Sequence, residues 1–367
     1  MNIVHVVENL NMGGAERVVI DLALQQLAMG DSVTVVCLFD AGLLAPEVEQ
    51  QGIRVLACDK QPGFDRAALA RLRAVLRDAG PCVVHSHNAM PHYYAVMASL
   101  AMPVIRINTR HGMGDFLGTA RQRLLYRAAM LFTHLPCCVC DAARAQFVGA
   151  GLMPATRAVT VYNGIDVHRF SAPGQGGLRS ALALPDDAVV LGTVGRLNAA
   201  KDQVTLIRAF ALLAKTHDKL HLVIVGDGPE RDRLQQCAGD SGYAARIHFP
   251  GARHDVQALL PDMAVFALSS LTEGFSVALL EAGAAARPVV ATAVGGNGEI
   301  IADGERGALV PAADAPALAD AIAGLLSAPG TRAQLGEQLR DWVAGHCSKD
   351  TMARRYRAEY LRAGAGA

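Results

Sequence analysis

Short apolar runs recur along the chain, and each gives way to a polar turn and then an amphipathic stretch. The runs at 2–7, 32–39, 53–58, 82–87, 103–109, 136–140 and 158–162 are mostly apolar, most of them through Val, Ile and Leu and the run 136–140 through Cys, as suits strands buried on both faces. Between them Ala, Leu and Val return at three- and four-residue steps, as over Glu16–Met29 and Arg66–Asp78, which predicts helices. A second series of strands follows near 189–194, 220–225, 246–249, 263–268, 289–293 and 307–310, again with helical patterns between. Alternation of this kind predicts parallel sheets covered by helices on both faces. The expected fold class is α/β, with two Rossmann-like doubly wound domains facing a cleft and ligands lying off the carboxyl ends of the strands. Turn formers crowd Asn163-Gly-Ile-Asp166 and the stretch Ser171 to Gly177, which marks this region as the linker. The boundaries expected are 1–164, 165–345 and 346–367, and Thr331 to Leu361 reads as wholly helical.

Composition narrows the function classes. A chain of 367 residues exceeds a single core, and 51% hydrophobic with 19% charged residues indicates a well-buried globular protein. The 34 basic and 34 acidic residues cancel, so global charge gives no support for nucleic acid as a partner. No apolar run reaches the roughly 18 residues of a membrane span. The start, Met1 to Val7, lacks a basic region before its apolar run and reads as a first buried strand rather than a signal peptide. Eight cysteines without disulfide-framework spacing fit a reducing cytoplasm. Cys137-Cys-Val-Cys140 reads as buried strand cysteines rather than a metal site.

The segment Glu273-Gly-Phe-Ser-Val-Ala-Leu-Leu-Glu281 carries the sharpest chemical signal. Ser276 is a favoured N-cap, and the helix it starts should run from Val277 to Ala286, before Pro288. A helix start offers free amides and partial positive charge to a phosphate, with one carboxylate on each side to accept from hydroxyls. A nucleotide sugar has hydroxyls at both ends and phosphates between. In Gly195-Arg196-Leu-Asn-Ala-Ala-Lys201, Arg196 and Lys201 are placed to converge on a diphosphate at a strand end. Gly13 and Gly14, after the first strand, either let backbone approach a phosphate or sugar or simply form a tight turn. His111 ends another strand beside Gly112, which points either to the site or to a structural role. His85 and His87, in Val84-His-Ser-His-Asn88, are expected on opposite faces of their strand, against a shared metal.

Taken in order, Gly13-Gly-Ala-Glu16, Asn163-Gly-Ile-Asp166, Gly195-Arg-Leu197 with Lys201, Val225-Gly-Asp-Gly-Pro-Glu230, Phe249-Pro-Gly251 and the Glu273–Glu281 segment resemble the family-4 retaining glycosyltransferases of GT-B architecture. The resemblance implies that Glu281 holds the ribose hydroxyls and Glu273 contacts the transferred sugar. It implies that Arg196 and Lys201 bind the diphosphate and offset leaving-group charge. Gly13 and Gly14 lie against the donor, His111 stands near the sugar's reaction centre, and Gly274 with the amides of Phe275, Ser276 and Val277 forms the helix-start cradle. The implied catalytic set is Glu273, His111, Arg196 and Lys201, with no metal and no cofactor. The absence of an Asp-x-Asp triplet agrees. The last helix, roughly Lys349 to Arg362, is implied to cross back onto the first domain.

The function expected is transfer of a sugar from a nucleotide-diphosphate sugar, a UDP-hexose or UDP-N-acetylhexosamine, to a glycan or lipid-linked acceptor of cell-surface polysaccharide or glycolipid. Rival readings are a sugar-nucleotide epimerase of the same plan and a non-catalytic sugar-nucleotide-binding protein. A nicotinamide dehydrogenase would want Gly-x-Gly-x-x-Gly after the first strand, which Asn11-Met-Gly-Gly-Ala-Glu16 does not supply. Arg106, Arg110, Arg121, Arg123 and Arg127, opposed only by Asp115, together with Leu124, Leu125, Met130 and Leu131, read either as a peripheral membrane contact at the inner face of the cell membrane or as an ordinary amphipathic helix.

Overall fold

The computed structural model describes residues 1–113, 119–171 and 177–365. Asp115, the linker positions 172–176 and the last two residues of the tail lie outside the described residues. The chain forms two compact units, one of Met1–Ile165 with Ser348–Ala367 and the other of Asp166–Cys347.

The first unit holds β1 (Asn2–Val7), β2 (Ser32–Cys37), β3 (Arg54–Ala57), β4 (Cys82–His87), β5 (Val104–Arg110), β6 (Leu135–Cys138) and β7 (Val159–Thr160) in the order β3-β2-β1-β4-β5-β6-β7. The second holds β8 (Val189–Val194), β9 (Leu220–Val225), β10 (Ile247–Gly251), β11 (Met263–Leu268), β12 (Val289–Thr292) and β13 (Ala308–Val310) in the order β10-β9-β8-β11-β12-β13. All pairings named within both sheets are parallel. Helices must therefore return the chain after each strand, and the apolar runs are buried because both faces are covered. In each sheet the chain starts in the middle, builds outward one way and then reverses. The reversal leaves a crevice between β1 and β4 in the first unit and between β8 and β11 in the second.

Three expectations change. The region 331–361 is two helices, Pro329–His346 and Lys349–Ala365, interrupted where Ser348 bridges to Ile165. Ser348 Oγ accepts from the amide of Thr351 at 3.1 Å, which restarts the helix. Asn163 and Ile165 are buried, and a Cβ at Gly164 would come within 2.5 Å of the Ser348 carbonyl oxygen, so this turn is docked rather than slack. The helix from Val277 ends at Ala284 instead of Ala286, because Ala286 sits at φ 54 in the left-handed region that closes the turn. Phe210 and Phe266 are fully buried in the second unit. Each such side chain contributes about 1.5–3 kcal/mol on transfer from water.

Candidate functional site

In the second unit, two loops at the switch point are tied together by backbone and short polar side chains. Ser269 Oγ donates to the carbonyls of Lys201 and Asp202 at 3.0 and 2.9 Å, and the Leu271 amide donates to Ala200 at 2.8 Å. Thr292 Oγ1 donates to the Ser270 carbonyl at 2.7 Å, and the Gly296 amide to Gly274 at 2.7 Å. This stapling brings Lys201 Nζ to 2.5 Å from Glu273 Oε1, which also accepts from Ser270 Oγ at 2.6 Å. A third strand-end loop packs beneath. The Leu197 amide donates to Asp227 at 2.9 Å. Gly226, at φ 140, leaves no room for a Cβ, which would meet the Gly195 carbonyl oxygen at 1.9 Å.

Arg196 stands at the same strand end but differs from Lys201. Its guanidinium is exposed and makes no hydrogen bond or ion pair among the described residues, whereas its carbonyl is held by Gln203 Nε2 at 3.1 Å. The expected pair of converging cations is therefore one exposed guanidinium and one lysine already neutralised by Glu273. Ser276 occupies the N-cap position with extended backbone, φ −68 and ψ 112, yet its hydroxyl caps nothing. That hydroxyl is buried and has no hydrogen-bond partner among the described residues. Orphaned buried hydroxyls are uncommon in folded proteins, and this one stands at a helix start whose first amides have no intrahelical partner. Gly274 and Phe275 are buried beside it, while Val277 and Glu281 are half-buried on the first turns of the helix.

In the first unit, Gly13 has extended backbone at φ −173 and precedes the helix Gly14–Ala28. Both glycines are exposed, and a Cβ at Gly13 would meet the Glu16 carboxylate at 2.1 Å. His111 follows β5, and its amide donates to Asn88 Oδ1 at 3.2 Å. It lines a cavity of about 570 Å³ with Glu8, Asn88, Tyr93, Arg110 and Tyr126. Burial, with the charge of Arg110 beside it, pushes the His111 imidazole down to about 4.

His85 and His87 do not face opposite sides of β4. Side-chain direction alternates with a period of two, so residues two apart share a face. Their ring centroids lie 4.2 Å apart, and His5, opposite His85 in β1, joins them. One ring nitrogen from each of His5, His85 and His87 lies within 4.8 Å of the others. Spacing alone would therefore allow a metal, although every ring nitrogen in the trio already has a protein hydrogen-bond partner. Sequence reasoning missed this cluster because it lost the strand period at the one place where the period carried chemistry. The cysteine run is buried as expected, and Cys140 Sγ accepts from the Ala143 amide at 3.4 Å, capping the next helix.

Of the basic stretch, Arg121, Arg123 and Arg127 are exposed on the helix Ala120–Leu131. Leu124 and Leu131 are 67% and 76% exposed on that helix, whereas Met130 is buried and packs inward, which departs from the membrane-contact reading and agrees with a packed amphipathic helix. Arg106 is spent on the Phe132 carbonyl at 2.7 Å, and Arg110 stacks over Phe147 at 5.3 Å. Among the described residues no helix is long and apolar enough to cross a membrane.

Residues 177–342 match the family model Glycosyl transferases group 1, and residues 12–169 match Glycosyltransferase Family 4. The lipopolysaccharide core biosynthesis glycosyltransferase LpsE of Rhizobium meliloti (strain 1021) is 34% identical over 178 residues, 48% of this chain and 51% of that protein. The D-inositol 3-phosphate glycosyltransferase of Kribbella flavida is 31% identical over 207 residues, 53% of this chain and 48% of that one. The chain thus spans about half the length of these curated relatives. The crystal structure of Anabaena Alr3699/HepE in complex with UDP has a TM-score of 0.86 at 23% identity, covering 99% of this chain and 100% of that one. Sucrose-phosphate synthase from Thermosynechococcus elongatus has a TM-score of 0.86 at 21% identity, with 100% of both chains covered. At such identities the likeness is one of fold, the two-Rossmann α/β plan of GT-B enzymes.

Proposed function

The chain belongs to the family-4 type of the group 1 glycosyl transferases, and from that premise we propose that it moves a sugar from a UDP-hexose or UDP-N-acetylhexosamine to a glycan or lipid-linked acceptor, with retention at the anomeric carbon. The observation that carries this reading is the second unit's switch point. An exposed guanidinium, a Lys201–Glu273 pair and a partnerless buried hydroxyl at a helix start stand together on adjoining strand-end loops. Anion and hydroxyl groups are what such a site can satisfy. Arg196 and the amides of Phe275, Ser276 and Val277 take the diphosphate, Glu281 the ribose and Glu273 the transferred sugar. Lys201 is shared between Glu273 and the phosphate, so donor binding tunes the carboxylate. The UDP named in the HepE structure supports uracil as the base.

In this mechanism the anomeric carbon–oxygen bond to the diphosphate breaks through an oxocarbenium-like transition state. The new bond forms to the acceptor hydroxyl oxygen on the same face, and the hydroxyl's proton passes to the departing diphosphate oxygen. Charge growing on the departing diphosphate is stabilised by Arg196, Lys201 and the helix amides, fixed before the reaction begins. Those groups do the work a divalent cation would otherwise do, and activity is expected to persist in chelator. His111 and the Gly13–Gly14 loop are the first unit's contribution, and acceptor recognition belongs to that unit. The product enters cell-surface polysaccharide or glycolipid. The exposed leucines and arginines of the helix Ala120–Leu131 rest on an anionic membrane surface, which brings a lipid-linked acceptor within reach.

A thermal-shift screen of nucleotide sugars tests the reading, followed by product analysis with the best donor. A UDP-sugar that raises Tm and is transferred with retained configuration is expected. Epimerised or free sugar as the only product would replace the reading with the epimerase one, and no response to any nucleotide sugar would end it.

A further inference from the structure

Beneath the first unit's strand ends, a single hydrogen-bonded chain links four histidines to a glutamine and the C-terminal helix. His111 Nε2 lies 2.8 Å from His87 Nδ1, His87 Nε2 lies 3.0 Å from His5 Nδ1, and His5 Nε2 lies 2.7 Å from Gln26 Oε1. Gln26 Nε2 then donates to Tyr360 Oη at 3.2 Å, and Tyr360 Oη lies 2.7 Å from His85 Nδ1. His85 Nε2 meets Thr109 Oγ1 at 2.7 Å. His5, His85 and Tyr360 have no exposed surface, and Gln26 has none either.

A neutral imidazole carries one N–H and one lone pair, so imidazoles in a row must all point their protons the same way. The amide oxygen of Gln26 can only accept, which puts the His5 proton on Nε2. His5 Nδ1 must then accept from His87 Nε2–H, and His87 Nδ1 from His111 Nε2–H. The branch through Tyr360 agrees, since Gln26 Nε2 donates to the phenol, the phenol donates to His85 Nδ1, and His85 Nε2–H donates to Thr109. Burial holds all four imidazoles well below their ordinary basicity, which keeps the chain neutral. At its end His111 Nδ1 is left as a bare lone pair, buried and with no hydrogen-bond partner among the described residues. Turning the Gln26 amide over would reverse every bond and leave His111 presenting an N–H instead. The same trio could hold a metal by spacing, but a metal would take the lone pairs that this chain uses.

We propose that Gln26, His5 and His87 are positioning residues that fix His111 as its Nε2–H tautomer, so that Nδ1 accepts a hydrogen bond from a substrate hydroxyl. The substrate part of this inference rests on the transferase reading above; the tautomer part does not. Nitrogen-15 histidine labelling of the full chain, read by long-range proton–nitrogen correlation, tests it, with His111 assigned by loss of its signal in His111→Gln. The wild-type protein is expected to show His111 as Nε2–H. In Gln26→Met, which removes the acceptor that orders the chain, His111 is expected to become a mixture of tautomers. With donor KM nearly unchanged, kcat is expected to fall about 10- to 100-fold, by analogy with losing the outer hydrogen-bond partner of a metal-bound histidine. An Nδ1–H His111 in the wild type would overturn the proposal. So would an unchanged tautomer in a Gln26→Met variant that melts cooperatively, or a stoichiometric metal on His5, His85 and His87. If the tautomers respond as stated but no sugar is transferred, the positioning chain stands and the transferase reading fails by itself.

Discussion

The crevice between β8 and β11 and the crevice between β1 and β4 are the same topological feature, built from opposite materials. The second unit places charge there: Arg196 exposed, Lys201 and Glu273 paired at 2.5 Å, and short hydroxyl side chains holding the loops. The first unit buries neutral rings there, joined end to end so that each ring nitrogen of His5, His85 and His87 is satisfied. A charged crevice stabilises an anion wherever it docks. A hydrogen-bonded chain of neutral groups instead transmits direction, because one end decides which proton the other end shows. Parallel-sheet topology fixes the place of a site and leaves its chemistry to the strand-end residues.

The largest expected effect comes from removing charge in the second unit without changing shape. Glu273→Gln keeps a group for Lys201 and Ser270 to bind but cannot stabilise positive charge on a sugar. A fall in kcat of about 10²–10³-fold is expected, the range for one preorganised electrostatic group, with UDP affinity within threefold. Glu281→Ala should do the reverse, weakening UDP by about 30-fold and sparing turnover, since two hydrogen bonds near 1 kcal/mol each are lost. Calorimetric titration with UDP beside steady-state kinetics separates the two. Equal loss of UDP affinity in both variants would remove the division of labour between these carboxylates.

Arg196→Ala ranks next. A charge-assisted hydrogen bond contributes about 1.5–3 kcal/mol, so UDP binding is expected to weaken roughly 10- to 100-fold. Because the guanidinium is exposed, its contribution should shrink as ionic strength rises. A salt titration that lowers wild-type and Arg196→Ala affinity in parallel would show that Arg196 does not meet the diphosphate.

Acid should then distinguish the two crevices. His5 is pushed down to about 4 by burial, and His85 and His87 lie well below the ordinary histidine value. The unfolded chain binds protons near pH 6.5 and the folded one does not, so stability is present above pH 6.5 and drains away as pH falls toward 4. For His5 alone the loss at pH 5 is about 2 kcal/mol. In the second unit His221 and His248 are only lowered from the ordinary value and are half-buried, so less is at stake there. Hydrogen exchange at pH 5 should therefore release the amides of β1, β4 and β5 before those of β8, β9 and β11. Simultaneous release would mean that the buried histidines carry no such cost.

Much of this was legible in the residues themselves. Unbroken apolar runs between helical periods predicted thirteen strands in two sheets, because a parallel strand buried on both faces has no polar alternation to hide in. The positions of Arg196, Lys201 and Glu273 at strand ends were legible for the same reason. The Lys201–Glu273 pair was not, because it depends on Ser269 and Leu271 gripping the loop around 200, a tertiary contact without local signature. The role of Ser276 was misread, since a residue good at capping gives no sign of whether its hydroxyl turns toward its own helix. Gln26 and Tyr360 are 334 positions apart and carry no motif, so the chain they complete became visible only with the helix Lys349–Ala365 in place.

The smallest effect belongs to the surface of the first unit, and it separates what holds the protein from what reaches outward. The helix Ala120–Leu131 packs Tyr126, Ala129 and Met130 inward, while Leu124, Leu125 and Leu131 are exposed on it. Replacing Arg121, Arg123 and Arg127 together by Gln should weaken partition onto phosphatidylserine vesicles by about 1 kcal/mol per charge, with no change in thermal stability. Since anionic attraction needs the charges and apolar insertion needs the leucines, Leu124→Ser with Leu131→Ser should lower binding at high salt, where the arginines are screened. Vesicle co-sedimentation indifferent to both sets would leave this face as plain solvent surface. The acceptor would then have to reach the first unit from solution.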